Sequence, residues 1–239
     1  MTFDHSMSTA RNRFAGAGTE IKRAYAASDL ATGEQVTPDD LADAIDQLLE
    51  ILERNPANDP TPPMQEEGEA EKVGNHAMDF LQDLTVYTDR LGLEETTGEL
   101  QLVAVGVAMW LASWEAPVRT IELAVNGLGQ LANTTADAGE LGRILTLMDR
   151  LVAAAGPEAR ADLETTNPYR AWRILLLNRG IVAVRAGDAD GIRRAFDAIR
   201  ERLPEDADAF FQEALNQVHA GDYPEAVTAA VAAYANGAE

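Results

Sequence analysis

Cysteine is absent from the chain, which excludes disulfides, thiolate zinc sites, cysteine-ligated clusters and cysteine nucleophiles. Lysine is scarce, with only Lys22 and Lys72 among 19 basic residues. Against these stand 40 Asp and Glu, for a formal net charge of −21, so tight binding to nucleic-acid phosphates is not expected. Aromatics are few as well, at three Trp, five Tyr and six Phe. Long apolar runs are missing. The most apolar stretch, Leu100 to Trp114, falls short of the ~20 residues that span a bilayer and reads as a buried central helix. The opening residues MTFDHSMSTARNRF lack the apolar core of a signal peptide. The chain therefore reads as soluble and cytoplasmic, with no membrane insertion. There is also no Gly-rich phosphate loop, no HExxH, no Gly-x-Ser-x-Gly and no Asp-rich calcium loop.

What the chain has in excess is alanine, at 42 of 239 positions, within an apolar fraction of 46 %. Alanine has the best helix propensity, and no stretch after residue 60 alternates as a strand would, so the expected class is all-α. Acid excess with little lysine fits either salt adaptation or a GC-rich coding sequence. Neither of these is a function.

Helix boundaries are marked at several points. A first amphipathic stretch covers about Ser8 to Ala27. Thr37 can cap a second, with Pro38 in the first turn and Asp39 and Asp40 favouring the positive end of the dipole. Its stripe of Leu41, Ile45, Leu48, Leu49 and Leu52 ends at Asn55-Pro56. Asn58-Asp-Pro-Thr-Pro-Pro63 and the acids Glu66, Glu67, Glu69 and Glu71 follow, which reads as a linker. The expected organisation is a helical arm or hairpin over 1–55, a Pro- and acid-rich linker over 56–71, and a helical domain over 72–239. Within that domain, helices are expected over about 72–91, up to Trp114, 116–132, 137–155, 168–187, 190–202, 206–220 and 223–235.

The most specific signal is an internal repeat. Ala186-Gly187-Asp188 and Ala220-Gly221-Asp222 lie 34 residues apart. The same shift pairs Gly180 with Ala214, Val184 with Val218, and Leu176 with Phe210. Small residues at these positions let two helices of a pair approach closely, and glycine permits a left-handed turn between them. The period and the stretch AFFQEALNQVHAGDYPEAVTAAVAAY resemble the tetratricopeptide repeat (TPR) family over about residues 168–236. Ala189 and Gly191 depart from the family pattern, which usually has tyrosine and glutamate there, and no Gly-Asp turn lies a further 34 residues back. The resemblance implies antiparallel helix pairs stacked as a right-handed solenoid, with a groove lined by the first helix of each pair. The matching positions are Arg173, Leu177, Asn178, Ile181 and Arg185, then Phe211, Gln212, Leu215 and His219.

Other candidates are weaker. His76, Asp79 and Asp83 share one helical face, more simply read as solvated than as a metal or catalytic site. Trp110, Trp114 and Trp172 could line a ligand pocket or pack in a core. Eight arginines between Arg170 and Arg202 could receive an acidic peptide, or could pair with the chain's own acids. The leading expectation is a non-enzymatic interaction module without metal or cofactor, binding another protein or peptide, an acidic one among the candidates; homo-oligomerisation stays open. The alternatives are a helical sensor or enzyme with a pocket near 100–114, and a structural subunit of a larger complex.

Overall fold

The computed structural model describes residues 3–30, 36–62, 64–163 and 166–237. All regular structure among them is helical: α1 (Met7–Ala26), α2 (Pro38–Arg54), α3 (Glu69–Leu91), α4 (Glu94–Ser113), α5 (Glu122–Thr134), α6 (Ala138–Ala154), α7 (Pro157–Ala161), α8 (Ala171–Ala186), α9 (Ala189–Arg202), α10 (Pro204–Ala220) and α11 (Glu225–Ala235). The class is all-α. Among the described residues, no helix is long and apolar enough to cross a membrane.

The chain forms two compact units, one of Met1–Gln130 with Ala153–Ala161 and one of Leu131–Val152 with Asp162–Glu239. In the first, α4 is the centre, and Leu100, Val103, Ala104, Val105, Val107, Ala108 and Leu111 are wholly buried. Helix α1 packs on α4 and α2, and α3 packs on α2 and α4. A Cβ added at Gly106 of α4 would stand 2.9 Å from that of Ala10 on α1, so this crossing depends on the missing side chain. The capping expected at α2 is present: Asp40 N donates to Thr37 Oγ1 at 3.2 Å, and Thr37 N donates back to Asp40 Oδ2 at 3.0 Å.

The contacts divide the chain elsewhere than at the expected arm and linker. Ile21, Ile45, Leu49 and Leu52 have no exposed surface, because α1 and α2 supply part of the first unit's core. The Pro-rich segment is fastened to the same unit. Buried Asn55 donates through Nδ2 to Ile51 O and accepts through Oδ1 from the N–H and hydroxyl of Thr61, while Met64 is buried. Proline composition signals the end of a helix there, and the chain then runs in extended and turn conformations over the unit's surface.

A second difference lies at 116–121, where a helix is expected and an extended segment is found. Val118 N donates to Ala154 O at 2.8 Å and Gly156 N to Val118 O at 2.7 Å. Asn75, fully buried on α3, donates to Pro117 O and accepts from Arg119 N, both at 2.9 Å. Pro117 disfavours helical dihedrals at Ala116, and the amide of Asn75 completes the hydrogen bonding that a helix would have supplied.

In the second unit, α8 and α9 form one helical hairpin and α10 and α11 another, with α10 and α11 both packed on α9. Phe196 of α9 is fully buried at the centre of an aromatic cluster. Its ring stacks on Phe211 at 4.9 Å and meets Phe210 at 5.4 Å and Tyr234 at 5.3 Å edge to face.

The two Gly-Asp turns, alike in sequence, are built differently. Gly187 ends α8 at φ 73°, and Asp188 caps α9 by accepting from Asp190 N and Gly191 N. Gly221 instead is extended, at φ −104°, and α11 begins only at Glu225 behind Pro224. At Gly221 the missing side chain leaves room for the ring of Tyr223, from which a Cβ would stand 2.7 Å away.

Candidate functional site

Helices α8 and α10 of the second unit flank an open cavity of about 530 Å³. Ile181, Val184 and Arg185 line it from α8; Phe210, Glu213, Ala214 and Gln217 line it from α10; Tyr223 closes it from the following turn. The size suits the pockets that take small molecules or the anchoring side chain of a peptide. One wall carries Ile181, which is 45 % exposed despite its size. Under the cavity, Gly180 lets the Phe210 ring lie directly on the α8 backbone: a Cβ there would stand 2.7 Å from Phe210 Cζ.

Of the groove candidates, the cavity takes in Ile181 and Arg185. Leu177 and Asn178 are half-buried on α8 outside its lining. Arg173 is held by Asp206 through two bonds of 2.7 and 2.6 Å and donates to Pro168 O. On α10, Phe211 is buried in the aromatic cluster, Gln212 donates to Ala235 O, Leu215 is half-buried, and His219 is exposed near the helix end. The cavity instead uses Phe210, Glu213, Ala214 and Gln217 from this helix. The reason is geometric. A 34-residue shift carries one face of α8 to the equivalent face of α10, whereas a cavity between neighbouring helices is lined by faces that oppose each other. Gly180 and Ala214, related by that same shift, therefore occupy equivalent places, and of the two only Ala214 is in the lining.

The arginines around the cavity are engaged within the chain. Arg170, only 8 % exposed, pairs with Asp162 and Glu205; Arg179 pairs with Asp149; Arg194 reaches Asp149 and Asp188. Arg193, Arg200 and Arg202 pair with Asp190, Asp197 and Glu201. Arg185 donates to Ala132 O at 2.8 Å and Thr135 O at 2.6 Å, satisfying carbonyls at the end of α5. Hydrogen bonding to Asp206 raises the pKa of Arg173, and the same bonds hold the Asp206 carboxyl below its ordinary value of 3.8.

The remaining candidates are placed as follows. His76 and Asp83 are exposed and Asp79 half-buried on α3, and among the described residues no group of three His, Asp or Glu is placed to hold a metal ion. Trp110 and Trp114 both donate to Asn55 O, at 2.9 and 3.3 Å, so their polar edges are occupied by the first unit's own backbone. Trp172 is buried. Comparison with protein-family models, with curated proteins and with solved structures finds no match to the chain.

Proposed function

We propose that the chain is a non-enzymatic protein–protein interaction module, an adaptor, scaffold or assembly factor, whose partner docks in the groove between α8 and α10. On this reading α8–α11 are two consecutive repeat units of TPR-like, solenoid-forming type. Support for the repeat comes from the two successive hairpins and from the small residues Gly180 and Ala214 at the same place in each; the unlike turns at Gly187 and Gly221 are its main irregularity.

The observation that carries the functional reading is the apolar cavity itself. Its walls are Ile181, Val184, Phe210, Ala214 and Tyr223, with only three polar or charged residues added. An apolar pocket with a thin polar rim, set between helices, is the form that receives the anchor side chain of a peptide or helix. The tryptophan-lined alternative near 100–114 has less to recommend it, since residues 102–111 of α4 are buried and the indole N–H groups of Trp110 and Trp114 are taken.

The test is capture from native lysate on the immobilised chain, beside Ala214→Trp, which fills the cavity, and Ile181→Ser, which removes its exposed wall. A stoichiometric protein held by the wild type and lost from both variants is the expected result. A partner held equally by all three would overturn the assignment of the groove.

A further inference from the structure

The charges around the groove specify its occupant; this step rests on the groove reading above. All eight arginines from Arg170 to Arg202 are already engaged with acids or carbonyls of the chain. The second hairpin, from Pro204 to Gly237, contains six acids and neither Lys nor Arg. Glu205 and Asp206 are taken by Arg170 and Arg173. Asp208, Glu213, Asp222 and Glu225 are exposed and have no ion-pair partner among the described residues.

One of these four lines the cavity and a second is the chain neighbour of a lining residue. Glu213 is part of its lining, and one of its oxygens accepts from Gln217 Nε2 at 2.8 Å. The carboxylate keeps further acceptor sites free. Asp222 directly precedes Tyr223, which closes the cavity. The cation in the lining, Arg185, is held by one bond from each terminal nitrogen to carbonyls at the end of α5, and it is one positive charge beside these carboxylates.

We infer that the groove receives a basic segment of a partner protein, which sets one large apolar side chain between Ile181, Phe210 and Ala214 and brings Lys or Arg to Glu213 and Asp222. An acidic segment would meet the unpaired carboxylates of Asp208, Glu213, Asp222 and Glu225, with Arg185 the one lining cation to offset them. A second copy of this chain, itself at a net charge of −21, would be repelled by the acids here.

Two amphipathic helical peptides test this, with identical Leu and Trp positions and with lysine in one and glutamate in the other at every polar position. Fluorescence anisotropy is read on the wild-type chain, Ala214→Trp, Ile181→Ser and the double variant Glu213→Gln/Asp222→Asn. The lysine peptide is expected to bind the wild type and to lose about tenfold or more on each cavity variant. Neutralising the two carboxylates is expected to cost about threefold and to flatten the fall in affinity between about 50 and about 300 mM NaCl.

Lysine-peptide binding that ignores both cavity variants overturns the inference, since bulk attraction to an acidic protein would then explain it. Cavity-dependent binding of the glutamate peptide overturns the charge assignment and leaves the groove standing. Binding of neither peptide removes both.

Discussion

Replacing Gly180 with alanine sets two effects of known size against each other. In an exposed helix this change stabilises by about 1 kcal/mol, because glycine loses more backbone freedom on folding. At this site the added Cβ would stand 2.7 and 3.0 Å from Phe210 Cζ and Cε1 and 3.1 Å from Ile199 Cδ1. Contacts that close force the ring or the helix to shift, an overpacking cost of about 1–3 kcal/mol. The Phe210 ring can retreat towards the cavity only by giving up its edge-to-face contacts with Phe196 at 5.4 Å and Phe211 at 6.1 Å. The net result is a loss of up to about 2 kcal/mol where propensity alone gives a gain. The assay is a double-mutant cycle with Phe210→Ala, using urea unfolding by circular dichroism and amide hydrogen exchange in α8 to localise the change to the second unit. Without the phenyl ring, Gly180→Ala should stabilise, and the coupling should be at least about 1 kcal/mol. Coupling below about 0.5 kcal/mol, or a gain of stability in the Phe210 background, would refute the packing argument.

Three further outcomes follow from polar groups. Arg185→Met keeps most of the apolar stem but takes away the donor to Thr135 O and one of the two donors to Ala132 O; it should cost about 1–3 kcal/mol in urea unfolding and raise hydrogen exchange near 132–135. Asn75→Ala leaves Pro117 O and Arg119 N without the buried amide that serves both, and should destabilise the first unit by about 2–4 kcal/mol. The Asp206 pKa is lower folded than unfolded, so its stabilising contribution is complete above the ordinary value of 3.8 and fades as pH falls through the depressed folded value. The stability gap between wild type and Asp206→Asn should therefore be constant from pH about 7 to 5 and shrink below about 4; a gap that widens on acidification would contradict the pairing with Arg173.

Local signals were legible in the sequence and distant ones were not. The start of α2 was readable because its capping box lies within four consecutive residues, Thr37 to Asp40. Gly92 and Gly187 were readable for a similar reason, each ending a helix in the left-handed conformation. The burial of α4 followed from an apolar run with no polar face. The start of α5 was not readable, because the residue that holds Pro117 and Arg119 out of a helix is Asn75, on another helix. Gly221 shows the limit of repeat matching: the same dipeptide serves a left-handed cap in one hairpin and ring clearance in the next. At the groove, the small residues and Ile181 were visible, while the choice of Phe210 over Phe211 depended on which way α10 is turned. Phe196 and Tyr234 decide that, by drawing Phe211 into their cluster.

The central claim is that the α8–α10 cavity is where a partner binds. It is tested most directly by hydrogen exchange on the wild-type chain, alone and saturated with the protein it captures. New protection is expected in α8 around Ile181–Arg185, in α10 around Phe210–Gln217 and at Tyr223, with the amides of α1–α4 unchanged. Protection confined to the first unit, with α8 and α10 exchanging as they do in the free chain, would contradict it.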